Sequence, residues 1–133
     1  MTATPDLTAR DALGALYSID ATGIEQMDWQ PVTGCPGVTD KILWQLGDFV
    51  QALVHYAPGS GSQGRAHLAA HHHLWVVSGT AKVAGRQLAP GAYMHVPPGV
   101  DHPVTDVGPE GFTLLHMHRP HAPVEAEALV ARG

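Results

Sequence analysis

Residues 59–79 read GSGSQGRAHLAAHHHLWVVSG: glycine and serine at the start, three consecutive histidines in the middle, then an apolar run that closes on Ser78-Gly79. Along an extended strand successive side chains point to opposite faces. His72, Leu74 and Val76 therefore share one side, while His71, His73, Trp75 and Val77 share the other. Only one of these groups can enter a cavity, and a bulge in the strand would exchange the places of His72 and His71.

Outward from this stretch, short β-prone runs alternate with breaks at 27–32, 38–46, 49–56, 68–77, 80–83, 92–96, 102–107 and 112–118. The breaks carry turn chemistry: Pro36-Gly37, Gly47-Asp48, Pro58-Gly59, Ala84-Gly85, Pro90-Gly91, Pro97-Pro98-Gly99 and Gly108-Pro109. No helical period is sustained over ten residues between Met27 and Arg119. The pattern predicts an all-β sandwich or barrel and disfavours a parallel α/β architecture. We divide the chain into an N-terminal arm (1–26), in which Asp11 to Leu16 could form a helical turn, a barrel (27–119) and an Ala/Glu-rich tail (120–133) that forms a last helical turn or frays.

Composition narrows the partners. With 133 residues, 44% of them apolar and 14% charged, the chain has the size and balance of one packed domain. Its seven Lys and Arg residues are scattered singly and its net charge is −5, which disfavours nucleic acid and anionic membranes as partners. The apolar runs are too short to span a bilayer. With one cysteine, Cys35, there is no internal disulfide, and no signal peptide is evident, so a reducing cytoplasm is the expected compartment. The anomaly is histidine: ten of them lie within the body of the chain.

A second stretch, GAYMHVPPGVDHPVTD at 91–106, gives the histidines a context. It resembles the second cupin motif, in which Gly, Pro, Gly, His and Asn recur at fixed intervals; all intervals match and Asp106 replaces the Asn. The 59–79 stretch resembles the first cupin motif, with Gly59 and Gly79 in the glycine positions, Arg65 in the first histidine position, His67 in the second and His72 in that of Glu. Both motifs stand in the right order, eleven residues apart. The region around Trp29 to Leu43 is similar to the entry strands of zinc-binding anti-sigma-factor cupins and diketone-cleaving dioxygenases. The resemblance implies a cupin fold, a jelly-roll-like double-stranded β-helix, and covers about 27–119.

It also implies one divalent metal ion held by His67, His72 and His102. Three neutral imidazoles with no carboxylate suit Fe, Zn, Ni or Cu and leave positions open for substrate; Fe(II) is favoured over Zn(II) by likeness to three-histidine cupin dioxygenases. Arg65, if it faces the cavity, would anchor an anionic substrate group. His55 or Tyr56 could reach the cavity mouth as a base or hydrogen-bond donor. His116 and His118, which share a face with Phe112 and Leu114, are expected to cap the rim, the alternative being that they line the pocket as proton carriers; His71 and His73 are expected to be outward or interface residues, and His95 and His121 to be structural or exposed. The expected function is a metal-dependent enzyme acting on a small oxygenated molecule, foremost a dioxygenase. Alternatives are a cyclase or isomerase, or a non-enzymatic metal or ligand sensor. A homodimer is expected, with Trp29, Trp44 and Trp75 supplying apolar contact.

Overall fold

The computed structural model describes residues 16–64 and 70–120. Apart from Leu16 the expected helical turn of the arm lies outside the described residues, as does the tail beyond 120. A short helix, α1 (Ala21–Gln26), leads into nine strands: β1 (Gln30–Pro31), β2 (Val38–Leu46), β3 (Phe49–Tyr56), β4 (Ala70–Gly79), β5 (Ala81–Val83), β6 (Arg86–Leu88), β7 (Tyr93–Val96), β8 (Val104–Thr105) and β9 (Phe112–Pro120). They form a six-stranded sheet in the order β1-β2-β3-β9-β4-β7 and a three-stranded sheet in the order β6-β5-β8. The fold is the all-β cupin barrel that the two motifs imply.

The core lies between the sheets. Val38, Ala52, Val54, Leu74, Val76, Val96, Phe112 and Leu114 point inward from the large sheet and meet Ala81, Val83, Leu88 and Val104 from the small one. Alternation places them there: along β4, Ala70, His72, Leu74 and Val76 are buried, while Trp75 and Val77 are about half exposed at 49% and 51%. β4 carries an irregularity, between Val76 and Ser78, but this comes after the histidines and leaves their parity intact.

Three differences from the sequence expectation have local causes. The first predicted strand shrinks to two residues. The arm instead contains α1, started by Asp20, whose Oδ1 accepts the Gly23 N–H at 2.8 Å. This segment is tied to the barrel by Lys41, a cation only 6% exposed on the outer face of β2. Its Nζ donates to the Ile24 carbonyl at 2.8 Å and lies 4.6 Å from the centroid of the Trp29 ring.

The third difference is β6. Arg86-Gln-Leu88 has no β-branched or aromatic residue and gives no strand signal, yet it pairs with β5 from Ala81↔Leu88 to Val83↔Arg86. The intervening turn has φ of 51° at Ala84 and 77° at Gly85, the two positive values a tight two-residue hairpin needs. Alanine pays for the left-handed backbone where asparagine would not. Ala84→Asn is expected to stabilise the protein by about 0.5–1 kcal/mol, read as a rise in Tm of about 2–4 °C.

Asp40 has the inward parity of Val38 and Ile42, which belong to the core or pack on it. Burial pushes its carboxyl above the ordinary carboxylate range. The fold therefore penalises the ionised form: the cost is absent at pH values below the unfolded carboxylate pKa and grows as pH rises through the raised one. Asp40→Asn is expected to raise Tm at pH 7 and to leave it nearly unchanged at pH 3; an equal rise at both would show that charge is not the cause.

Candidate functional site

His72 is 4% exposed on the inner face of β4. Its cross-strand partners there are His118 on β9 and Val96 on β7, while Leu74, two residues on, pairs with His116. Three imidazoles surround it: His102 at 4.7 Å between ring centroids, His116 at 4.8 Å and His118 at 4.9 Å, the last edge-on at 89°. His102 comes from the loop after β7. The single inward histidine of β4 is thus the hub of a cluster drawn from three parts of the chain.

The hydrogen bonds set the chemistry of these rings. His102 Nδ1 is 3.2 Å from the Val100 carbonyl oxygen and His118 Nδ1 is 2.6 Å from the Asp48 carbonyl oxygen. A carbonyl only accepts, so each Nδ1 carries the hydrogen and each neutral ring keeps its lone pair on Nε2. His72 Nδ1 lies 2.7 Å from His116 Nε2. Nδ1 on a hydrogen-bond partner with Nε2 left for a ligand is the usual arrangement of a metal-binding histidine.

Spacing fits as well. Two imidazoles bound to one ion at about 2.1 Å and at right to tetrahedral angles have ring centroids about 4.5–5.2 Å apart, and the His72–His102 separation of 4.7 Å falls in that range. Among the described residues alone, no three His, Cys, Asp or Glu side chains make a complete ligand set. His72 and His102 supply two imidazoles that need at least one more donor.

His67 and Arg65 lie outside the described residues. The chain that leads to them is tied to His102: the His102 N–H donates to the Gly64 carbonyl at 2.6 Å, and Ser62 and Val104 exchange backbone bonds. A Cβ at Gly64 would overlap the His102 carbonyl, so only glycine permits this approach.

Two sequence expectations are corrected. His55 sits on the outer face of the large sheet, with Nδ1 2.8 Å from Thr113 Oγ1 and its ring beside Trp29, not at the cavity mouth. Tyr56 does point inward, but it pairs with Phe112, six residues along β9 from His118. That is about 20 Å from the His72 level. Burial pushes its phenol up, against a hydrogen bond with Ser62 that lowers it, so it stays protonated at the far end of the barrel.

The converse holds for His116 and His118: they stand beside His72, which departs from the favoured rim position and agrees with the alternative that they line the pocket. Their shared parity with the buried Phe112 and Leu114 was the signal. His71 and His73 face outward as expected. On that face His71 Nδ1 lies 2.8 Å from His95 Nε2, and His73 Nδ1 2.6 Å from the Tyr93 hydroxyl. Burial, then His95 and Arg119, lower the His73 imidazole below its usual range. Asp106, where the second motif has Asn, has φ of 52°. Asn and Asp are the side chains that best tolerate this backbone, which explains the exchange. Among the described residues no helix is long and apolar enough to cross a membrane.

The profile of a family described as ChrR cupin-like domain matches residues 20–122. No curated protein matches the chain. Among solved structures, KdgF from Halomonas sp. is 24% identical and aligns over 76% of this chain and 94% of its own with a TM-score of 0.62. An RmlC-like cupin from Shewanella frigidimarina is 25% identical over 76% of this chain and 90% of its own, with a TM-score of 0.59. The Cnp3 cupin domain of Schizosaccharomyces pombe, 14% identical, covers 79% of this chain and 71% of its own with a TM-score of 0.65. At these identities the likeness to KdgF and to the Cnp3 domain speaks for the fold alone.

Proposed function

Because this chain belongs to the family of ChrR cupin-like domains, we propose that it is a metal-dependent enzyme acting on a small, oxygen-rich organic molecule, with oxygenase chemistry of the dioxygenase type. The observation that carries the reading is His72: a buried imidazole on the inner sheet face, ringed by His102, His116 and His118 within 5 Å.

His72 and His102, completed by His67, would hold one divalent ion, Fe(II) before Zn(II), Ni(II) or Cu(II). When bound, such an ion supplies a Lewis acid with open positions and, as iron, a route for electrons to dioxygen. Substrate oxygens would occupy the remaining side of the site, with Arg65 pairing an anionic group. His118, its Nδ1–H held by the Asp48 carbonyl, presents Nε2 as an acceptor on the same inner face.

That last feature favours a second reading, an isomerase or cyclase. A neutral Nε2 can take a proton from a carbon next to a carbonyl and return it to another position.

The experiment is metal analysis of protein prepared without affinity-tag nickel, followed by oxygen uptake with diketone, thiol and quinol candidates. About one ion per chain with substrate-dependent oxygen uptake is expected. Bound metal with no oxygen uptake, but anaerobic exchange of substrate protons with deuterated solvent, would replace the first reading by the second. Less than about a tenth of an ion per chain would remove both.

A further inference from the structure

The His72–His116 contact has a geometry of its own. The rings are 28° from coplanar, and their centroid separation of 4.8 Å is close to that of an in-plane N–H···N bond at the 2.7 Å observed. The two imidazoles meet edge to edge, not face to face. One hydrogen lies between His72 Nδ1 and His116 Nε2, and its owner decides which nitrogen of His72 keeps a lone pair. If His116 donates, neutral His72 must carry its hydrogen on Nε2 and cannot bind a ligand there. If His72 donates, Nε2 is left as the ligating atom.

We propose that His116 is the positioning residue for His72: its Nε2 accepts the Nδ1–H of His72 and so holds the neighbouring ring in the one neutral tautomer that can bind metal through Nε2. This rests on the metal reading given above and extends it to a residue outside the ligand set. His102 and His118 are fixed in the same tautomer by backbone carbonyls. For His72 a side chain takes that place: its Nδ1 faces His116, which two-residue alternation along β9 carries to the inner face. The surroundings strengthen the bond: His116 pairs across the sheet with Ala52 and Leu74, each 3% exposed, and a hydrogen bond is stronger in such apolar packing than in water. An imidazole acceptor also differs from the carboxylate that commonly supports a metal-bound histidine. It adds no charge to the cluster.

Two measurements test this and separate it from the metal reading. In metal-free wild-type protein with 15N-labelled histidine, the ring resonances of His72 should show Nδ1 protonated and Nε2 bare; the opposite pattern would overturn the proposal, whether or not metal binds. In the second, Zn(II) and Co(II) affinities are compared for wild type, His116→Phe and His116→Gln. Phe fills a similar volume without an acceptor and should weaken both metals about 10–100-fold, the cost of losing a supporting partner. Gln, whose carbonyl can accept, should recover most of that loss. Wild-type affinity in His116→Phe, or equal loss in both variants, would overturn the positioning role. If wild type has the expected tautomer but binds neither metal, the functional reading fails while the orientation of His72 by His116 stands.

Discussion

His72→Ala is expected to lower divalent-metal affinity about 1,000-fold or more, well beyond the 10–100-fold that a supporting residue costs, because a donor is lost outright. The effect appears in two readouts. Isothermal titration gives the affinity itself. Thermal unfolding gives the linkage: a ligand that binds the folded state raises Tm with its concentration, and this rise should vanish in the variant. The control is one residue away. His73 faces the outer surface and bonds Tyr93, so His73→Ala should keep wild-type affinity. Equal losses at 72 and 73 would mean that β4 does not present its faces as described.

Gly79→Ala is expected to cost about 3–5 kcal/mol, a fall in Tm of about 10–15 °C. Gly79 has φ of 76°, a left-handed backbone that costs alanine about 1–2 kcal/mol. Its environment adds the rest. A Cβ there would overlap the Gly111 carbonyl oxygen and lie 3.0 Å from Phe112 Cα. Relief would require shifting the start of β9, where Phe112 is fully buried between the sheets. Gly85 separates the two contributions: with φ of 77° but nothing within 4 Å of its would-be Cβ, Gly85→Ala should cost the backbone penalty alone. Urea unfolding of the pair checks this; equal losses would show that the contact with Gly111 is not tight.

The barrel was legible because β-structure writes its faces into the chain. The alternation Ala70, His72, Leu74, Val76 places each residue without knowledge of its neighbours, and the motif glycines mark the turns. The two β4-independent errors at the site come from information that alternation does not contain. Tyr56 has the correct parity but the wrong level, and level depends on the pairing Tyr56↔Phe112, which no local pattern reports. His55 lies one residue away on the opposite face, where Thr113 holds it. His116 and His118 were within reach of the same parity argument that found His72, since Phe112 and Leu114 define the inner side of β9. What was missing was the register that sets His118 opposite His72. β6 and α1 were illegible for another reason: Arg86-Gln-Leu88 is recruited by its turn and by burial of Leu88, and α1 is a single six-residue segment held by Asp20 and Lys41.

The three adjacent histidines of β4 have an evolutionary consequence. In most strands a slip of one residue destroys a site by swapping its functional side chain to the wrong face. Here a slip in either direction would still deliver an imidazole, His71 or His73, to the interior. The cost would fall on Leu74 and Val76, which would exchange places with the outward Trp75 and Val77. Fidelity of alignment therefore rests on the aliphatic half of the strand, while its histidine half is redundant. Insertions or deletions near this segment would be filtered by the folding of the core before they were filtered by loss of the site.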